Sequence, residues 1–350
     1  MSACVYMIGG GAVTPVGLDA PQTCAGIRAR AVRIEEVLRT APFGKPQAVA
    51  RVPAHWTLRR TPVGWLVNLA ARSVAEIAAR HALDARRTVL VAIPPEPFRQ
   101  AAFDDPAAFA TFGAAIAARS RLAFRDVRQV AQGGAASTIA GLREAAALLA
   151  GDGIEHVLVG GADSYVIDRE YDRLDAAGRL RTEGTAQGLT PGEGAAFVLL
   201  ARERPGAAAT SLEILGTGDA QEAQSATSSG YSQGRALVAA LRAAASAAGL
   251  AEASIDWVVS NGNGERYASW EALLARARYY RTRRERLIVH YPALSVGEIG
   301  AASGALALLM SAHGFARGYR AGSIAMIELA SEGAGRAACV VRAVRRRDGS

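Results

Sequence analysis

Lysine is all but missing from this chain of 350 residues. Lys45 is the only one, and arginine supplies the rest of the 40 basic residues. With the excess of alanine, this reads as compositional bias. No apolar run approaches the roughly 20 residues that a bilayer span needs, so no membrane association is expected. The start, MSACVYMIGG, has no charged region ahead of its short apolar stretch. It reads as a first strand and not as a signal peptide, and a cytoplasmic protein is expected. The three cysteines, Cys4, Cys24 and Cys339, are far apart and show no CxxC spacing. Buried thiols in a reducing compartment follow. The histidines His55, His81, His156, His290 and His313 lack metal-ligand spacing, so no metal is expected. Gly9-Gly10-Gly11 lacks the third glycine of a dinucleotide loop, and Pro15 blocks an immediate helix, so a structural turn and no cofactor is expected there.

The net charge of +8 raises the question of nucleic acid. The two dense basic runs, Arg281–Arg286 and Arg342–Arg347, carry no interleaved aromatics and sit in no zinc, helix-turn-helix or RNA-binding motif. Nucleic acid is therefore not expected as a partner. An acidic protein or an anionic phosphopantetheine-type substrate fits the same charge.

Half of the residues are hydrophobic, enough for a large core. Their spacing predicts strands at Val5–Ile8, Thr88–Ile93, Val127–Ala131 and His156–Gly161, and an apolar strand at the end of Gly188–Leu200. It predicts helices at Asp19–Ala29, Val63–His81, Pro106–Ala118 and Ile167–Leu180, with a loop from Ala41 to Arg60. The second half opens near Ser211 with the strand SLEILG. Helix Gly234–Ala248, strand Ile255–Ser260, helix Arg266–Ala277, strand Leu287–His290, helix Gly297–Ala316 and strands Ile324–Leu329 and Ala337–Val344 follow. Two similar βαβ-containing halves, residues 1–205 and 206–350 of one compact unit, imply an α/β fold.

The centre of this pattern is Gln132–Leu149. A strand runs into Gly133-Gly134, a long Ala/Leu helix begins at once, and HVLVGG follows as a strand. The turn at the helix N-terminus is where such folds place chemistry. Five stretches in register resemble the β-ketoacyl synthases of the thiolase superfamily. They are GGGAVTPVGLDAPQTCAGIRA, GGAASTIAGLREAAALLAGD with VLVGGADS, GLTPGEGAAFVLL, SIDWVVSNGNGE and SVGEIGAASGALALLMSAHGFARG. The resemblance implies a thiolase-like five-layered α-β-α-β-α fold and a dimer in which the strand at 127–131 pairs across the axis.

The catalytic residues of that family are not carried over. Its nucleophilic cysteine falls on Gly134 or Ala135, and neither side chain can attack a thioester. Its first histidine falls on Asn261, and two threonines of the same loop on Asn263 and Glu265. Its second histidine falls on Glu298, and a lysine on Ala293. The loop glycines Gly262, Gly264, Gly297 and Gly304 remain. The altered cleft gathers Gly134, Ala135, Ser137, Asn263, Glu265, Ala293 and Glu332, with Glu298 as the candidate general base and Asn261 as the candidate oxyanion donor. Ser137, one turn into the helix, fits a capping or packing role.

Two functional readings follow from the resemblance. One is a non-catalytic, chain-length-factor-like subunit that pairs with a ketosynthase, or with itself, in fatty-acid or polyketide-type biosynthesis, with an acyl carrier protein as a further partner. The other is an enzyme acting on an acyl thioester through Glu298 and Asn261 without a covalent intermediate. Standard ketosynthase activity is not expected, because the positions of the family's Cys and both His carry other residues.

Overall fold

The computed structural model describes residues 4–38, 46–53, 62–182, 184–204, 211–320 and 322–344. The first half contains β1 (Val5–Val13), α1 (Ala20–Arg28), a small hairpin of β2 (Glu35–Leu38) and β3 (Pro46–Val49), α2 (Pro62–His81) and β4 (Thr88–Ile93). It continues with α3 (Pro97–Gln100), α4 (Phe112–Ser120), β5 (Asp126–Gln129), α5 (Thr138–Ala150), β6 (His156–Ser164), α6 (Asp168–Ala176) and β7 (Glu193–Ala201). The second half runs β8 (Leu212–Gln221), α7 (Arg235–Ala248), β9 (Trp257–Ser260), α8 (Arg266–Tyr279), β10 (Ile288–His290), α9 (Ala293–Val296), α10 (Ser303–Ala316), β11 (Ile324–Ala330) and β12 (Gly335–Ala343).

The main sheet has the order β10-β9-β11-β12-β8-β1-β7-β6-β4-β5. In the first half β5, β4 and β6 are parallel, and β7 and β1 run antiparallel. The second half repeats this with β10, β9 and β11 parallel and β12 and β8 antiparallel. In the sheet the halves join where β1 pairs with β8, Val5 with Ile214, Tyr6 with Glu213 and Met7 with Leu212.

Packing sets the layers. Alternate residues of both halves, such as Val91, Val159, Val259 and Ile327, close on α5 and α10 in one apolar core. The opposite faces, such as Leu90 and Leu158 in one half and Val258 and Val340 in the other, meet α2 and α4 or α7 and α8. The fold is therefore the five-layered α-β-α-β-α arrangement of the thiolase type. Strands β4 and β7 are buried along their whole length, because helices cover both faces.

Several expectations need correction. The turn expected over Gly9–Pro15 comes at its end, at Pro15–Val16 between the paired Thr14 and Gly17, because β1 continues through all three glycines to Val13. Glycine is required because α2 lies directly on the strand, and a methyl on Gly11 would overlap the Ser73 carbonyl. Gly11→Ala is thus expected to cost about 1–3 kcal/mol in urea unfolding. Gly184→Ala, at an exposed position with no neighbour within 4 Å, should stay within about 0.5 kcal/mol of the wild type.

The loop expected from Ala41 to Arg60 contains strand β3. Residues 41–45 and 54–60 lie outside the described residues. Pro106–Ala118 divides into a 3-10 segment, Pro106–Thr111, and α4. The helix expected from Gly297 begins only at Ser303, because Gly297 and Gly300 hold positive φ in a turn. Cys24 and Cys339 are buried, and burial pushes both thiols up to about 12, but Cys4 is exposed. No described helix is long and apolar enough to cross a membrane.

Candidate functional site

Parallel strands of both halves end on one side of the fold, and a cleft forms there between β4, β6, β9 and β11 and the starts of α5 and α10. Ala135, Asn261, Asn263, Glu265, Glu298 and Glu332 line it, as do Glu96, Tyr165 and Arg179. The cavity volume is about 60 Å³.

Three of the expected cleft residues lie elsewhere. Gly134 holds φ +73°, and a methyl there would run into Glu96 and Ser331. Ala135, the next residue, lines the cleft at this turn. Ser137 lies behind the turn, where its hydroxyl donates to the Gly133 carbonyl and closes the first turn of the helix. Ala293 lines a separate small cavity beside α10.

Glu298 sits between the two positive-φ glycines, with its backbone tied to Thr190 and Gly192. One carboxylate oxygen accepts from the Gly300 amide at 2.8 Å, and the other from Asn263 Nδ2 at 2.7 Å. Burial is the main influence, with a contribution from Glu265, and together they push Glu298 up to about 7. Asn261 is engaged differently. Its amide donates to the Ala330 carbonyl at 2.8 Å and accepts from the Ala330 amide at 2.9 Å, extending the β9–β11 ladder by a side chain. One N–H of Asn261 remains to serve as a donor.

Sequence reasoning did not reach the charged floor of the site. Arg99 is completely buried and bonds Asp163 at 2.7 Å, Glu170 at 3.0 Å and the Ser164 carbonyl at 2.9 Å, with the Tyr165 ring 3.5 Å from its guanidinium. Burial opposes its charge, but Asp163, Tyr165, Glu170 and Glu332 outweigh burial and keep Arg99 protonated. Arg173 adds a bond to Glu332 at 2.7 Å. Arg179 grips Glu265 at 2.6 and 2.9 Å and also pairs with Glu332. Glu96 accepts from the Glu332 and Gly333 amides, both at 2.9 Å, yet burial still pushes it up to about 7. The one signal available in the sequence was charge inside apolar surroundings, such as Glu96 and Arg99 in PPEPFRQ.

None of the described histidines lines the cleft, and His55 lies outside the described residues. The chemistry on offer is proton transfer by Glu298 or Glu96, and no thiol reaches the cavity. Among the described residues no set of acidic, histidine or cysteine side chains is arranged to hold a metal ion.

No known family profile and no curated protein matches the chain. Solved structures match it in fold. One is a chain of the ishigamide ketosynthase/chain length factor, with a TM-score of 0.76 and 17% identity, covering 98% of this chain and 100% of the other. A second belongs to a ketosynthase in complex with its chain length factor from Xenorhabdus doucetiae, with a TM-score of 0.72 and 16% identity, covering 98% of each chain. A third comes from a type II polyketide synthase acyl-carrier protein in complex with its ketosynthase. It has a TM-score of 0.78 and 14% identity, and covers 98% of this chain and all of the other.

Proposed function

We propose that this chain is a non-catalytic, chain-length-factor-like subunit that pairs with a cysteine-bearing ketosynthase in fatty-acid or polyketide-type biosynthesis. The supporting observation is Ala135. In a thiolase-like fold, at the turn where the resemblance puts the nucleophile, alanine lines the cleft, beside a glutamate and an asparagine in place of two histidines. A side chain without a lone pair forms no acyl-enzyme. The intact five-layered scaffold still supplies a dimerisation surface. Strand β5 ends the sheet among the described residues, so its outer edge has backbone groups available for a partner strand. On this reading residues 1–205 and 206–350 form one compact unit, the protein works in the cytoplasm, and an acyl carrier protein serves the partner's active site.

One observation favours the second reading, an enzyme of different chemistry. Glu298, raised to about 7, is suited to general-base work at neutral pH, with Asn261 beside it. Co-expression with the genomic neighbours, tag purification and native mass spectrometry separates the two. A one-to-one complex with a ketosynthase, whose product spectrum survives Glu298→Gln, is expected. A homodimer without such a partner, with acyl-thioester turnover abolished by Glu298→Gln, would overturn the subunit reading.

A further inference from the structure

A second concavity lies where the end of α1, strand β10 and the residues after α10 meet. It offers about 600 Å³ and shares no lining residue with the cleft. This is within the usual range for a small-molecule site of about 300–1,000 Å³. Arg28, Arg30 and Arg320 line it together with His290, Tyr291 and Tyr319.

Its charge is unneutralised. Among the described residues none of the three arginines has an ion-pair partner, whereas Arg99, Arg179 and Arg336 each do. Two of the guanidiniums rest on one ring instead: Arg28 lies 4.6 Å and Arg320 5.6 Å from the Tyr319 centroid. The buried Nε of Arg320 has no hydrogen-bond partner. His290 reports the same field. Burial first, then Arg320 and Arg30, push it down to about 4. At the rim Val32 and Leu294, each 54% exposed, present apolar surface.

Three guanidiniums around one concavity create a positive potential that attracts an anion. Guanidinium forks match phosphate oxygens in geometry as well as charge. We propose that this groove binds a small phosphate ester, its phosphates held by Arg28, Arg30 and Arg320 and its organic part lying on Val32 and Leu294. This assignment does not depend on the partner-subunit reading. The groove does adjoin the cleft, because the Tyr291 ring that lines it packs 3.0 Å from where a methyl on Gly262 would stand.

Calorimetric titration of the full chain with ADP, inorganic pyrophosphate and adenosine tests the proposal. ADP and pyrophosphate should bind and adenosine should not. ADP should bind more tightly than pyrophosphate, and equal affinities would overturn the placement of the organic part on Val32 and Leu294. Arg28→Ala, Arg30→Ala and Arg320→Ala should each weaken ADP about tenfold or more, for the loss of one charge-assisted contact. Arg28 and Arg30 are exposed, so these two variants keep the fold. Arg235→Ala, at the start of α7, should bind as the wild type does. The proposal is overturned if adenosine binds as tightly as ADP, or if Arg28→Ala and Arg30→Ala leave ADP affinity unchanged.

Discussion

Replacing Arg99 with methionine is expected to remove about 3–5 kcal/mol of folding stability, because it strands buried carboxylates that have no other route to water. Arg99 is the common partner of Asp163 and Glu170 and lies 3.7 Å from Glu332. All of these side chains are almost fully buried. Glu170 and Glu332 keep Arg173 in the variant, but among the described residues Asp163 has no ion pair besides that with Arg99. Burial alone would raise Glu170, and Arg99 and Arg173 hold it below the usual carboxylate range. Urea unfolding followed by circular dichroism measures the loss. The deficit should shrink as pH falls, since protonating the stranded acids removes their charge. A loss under about 1 kcal/mol would mean that the acids are neutral in the native protein. For comparison, Arg284 in the basic run Arg281–Arg286 pairs with Glu252 near the surface, and its removal should cost far less.

The second large effect is a rise in stability towards acid pH from Glu298 and Glu96. Both are buried and both are raised from an ordinary carboxylate value of 4.5 to about 7. A group whose folded pKa exceeds its unfolded pKa contributes stability that is fully present below the unfolded value and lost as pH rises through the folded one. The window is therefore pH 4.5 to 7. Between pH 8 and pH 5 each residue should add about 2–3 kcal/mol in this sense. Glu298→Gln and Glu96→Gln remove the titration. Relative to the wild type, each variant should improve by that amount between pH 5 and pH 8. Parallel stability curves for wild type and variant would sink the assignment. The same property makes these carboxyls proton carriers near neutrality, which is what the enzymatic reading of the cleft requires.

Much of the fold was legible because hydrophobic periodicity is a local property. The strand Thr88–Ile93 is found as expected, and the helices at 62–81 and 235–248 differ from expectation by a residue. Asp19 caps α1 through the Gln22 amide, as its position ahead of Pro21 indicates. Errors fell where a distant contact decided the local conformation. Three glycines in a row look like a turn until α2 is laid across them. The Gly297–Gly300 turn looks like a helix start until Asp163 is placed against Gly300, where any side chain would overlap its carboxylate. Of the cleft residues named from the sequence, Asn261, Asn263, Glu265, Glu298 and Glu332 share one cavity. Of Gly134 and Ala135, only the folded chain tells that Ala135 lines the cleft and that Gly134 holds a positive φ.

The sequence by itself determined the order of strands and helices and the glycine loops, since both are read within a few adjacent residues. Tertiary structure alone decided where charge is compensated. Arg99 meets Asp163 across 64 positions and Arg179 meets Glu332 across 153, whereas Arg28 and Arg320 converge on one ring with no ion-pair partner among the described residues. Ion pairing has no sequence period. Whether a buried guanidinium is held by a carboxylate or left open to an anion depends on which distant segments fold against it.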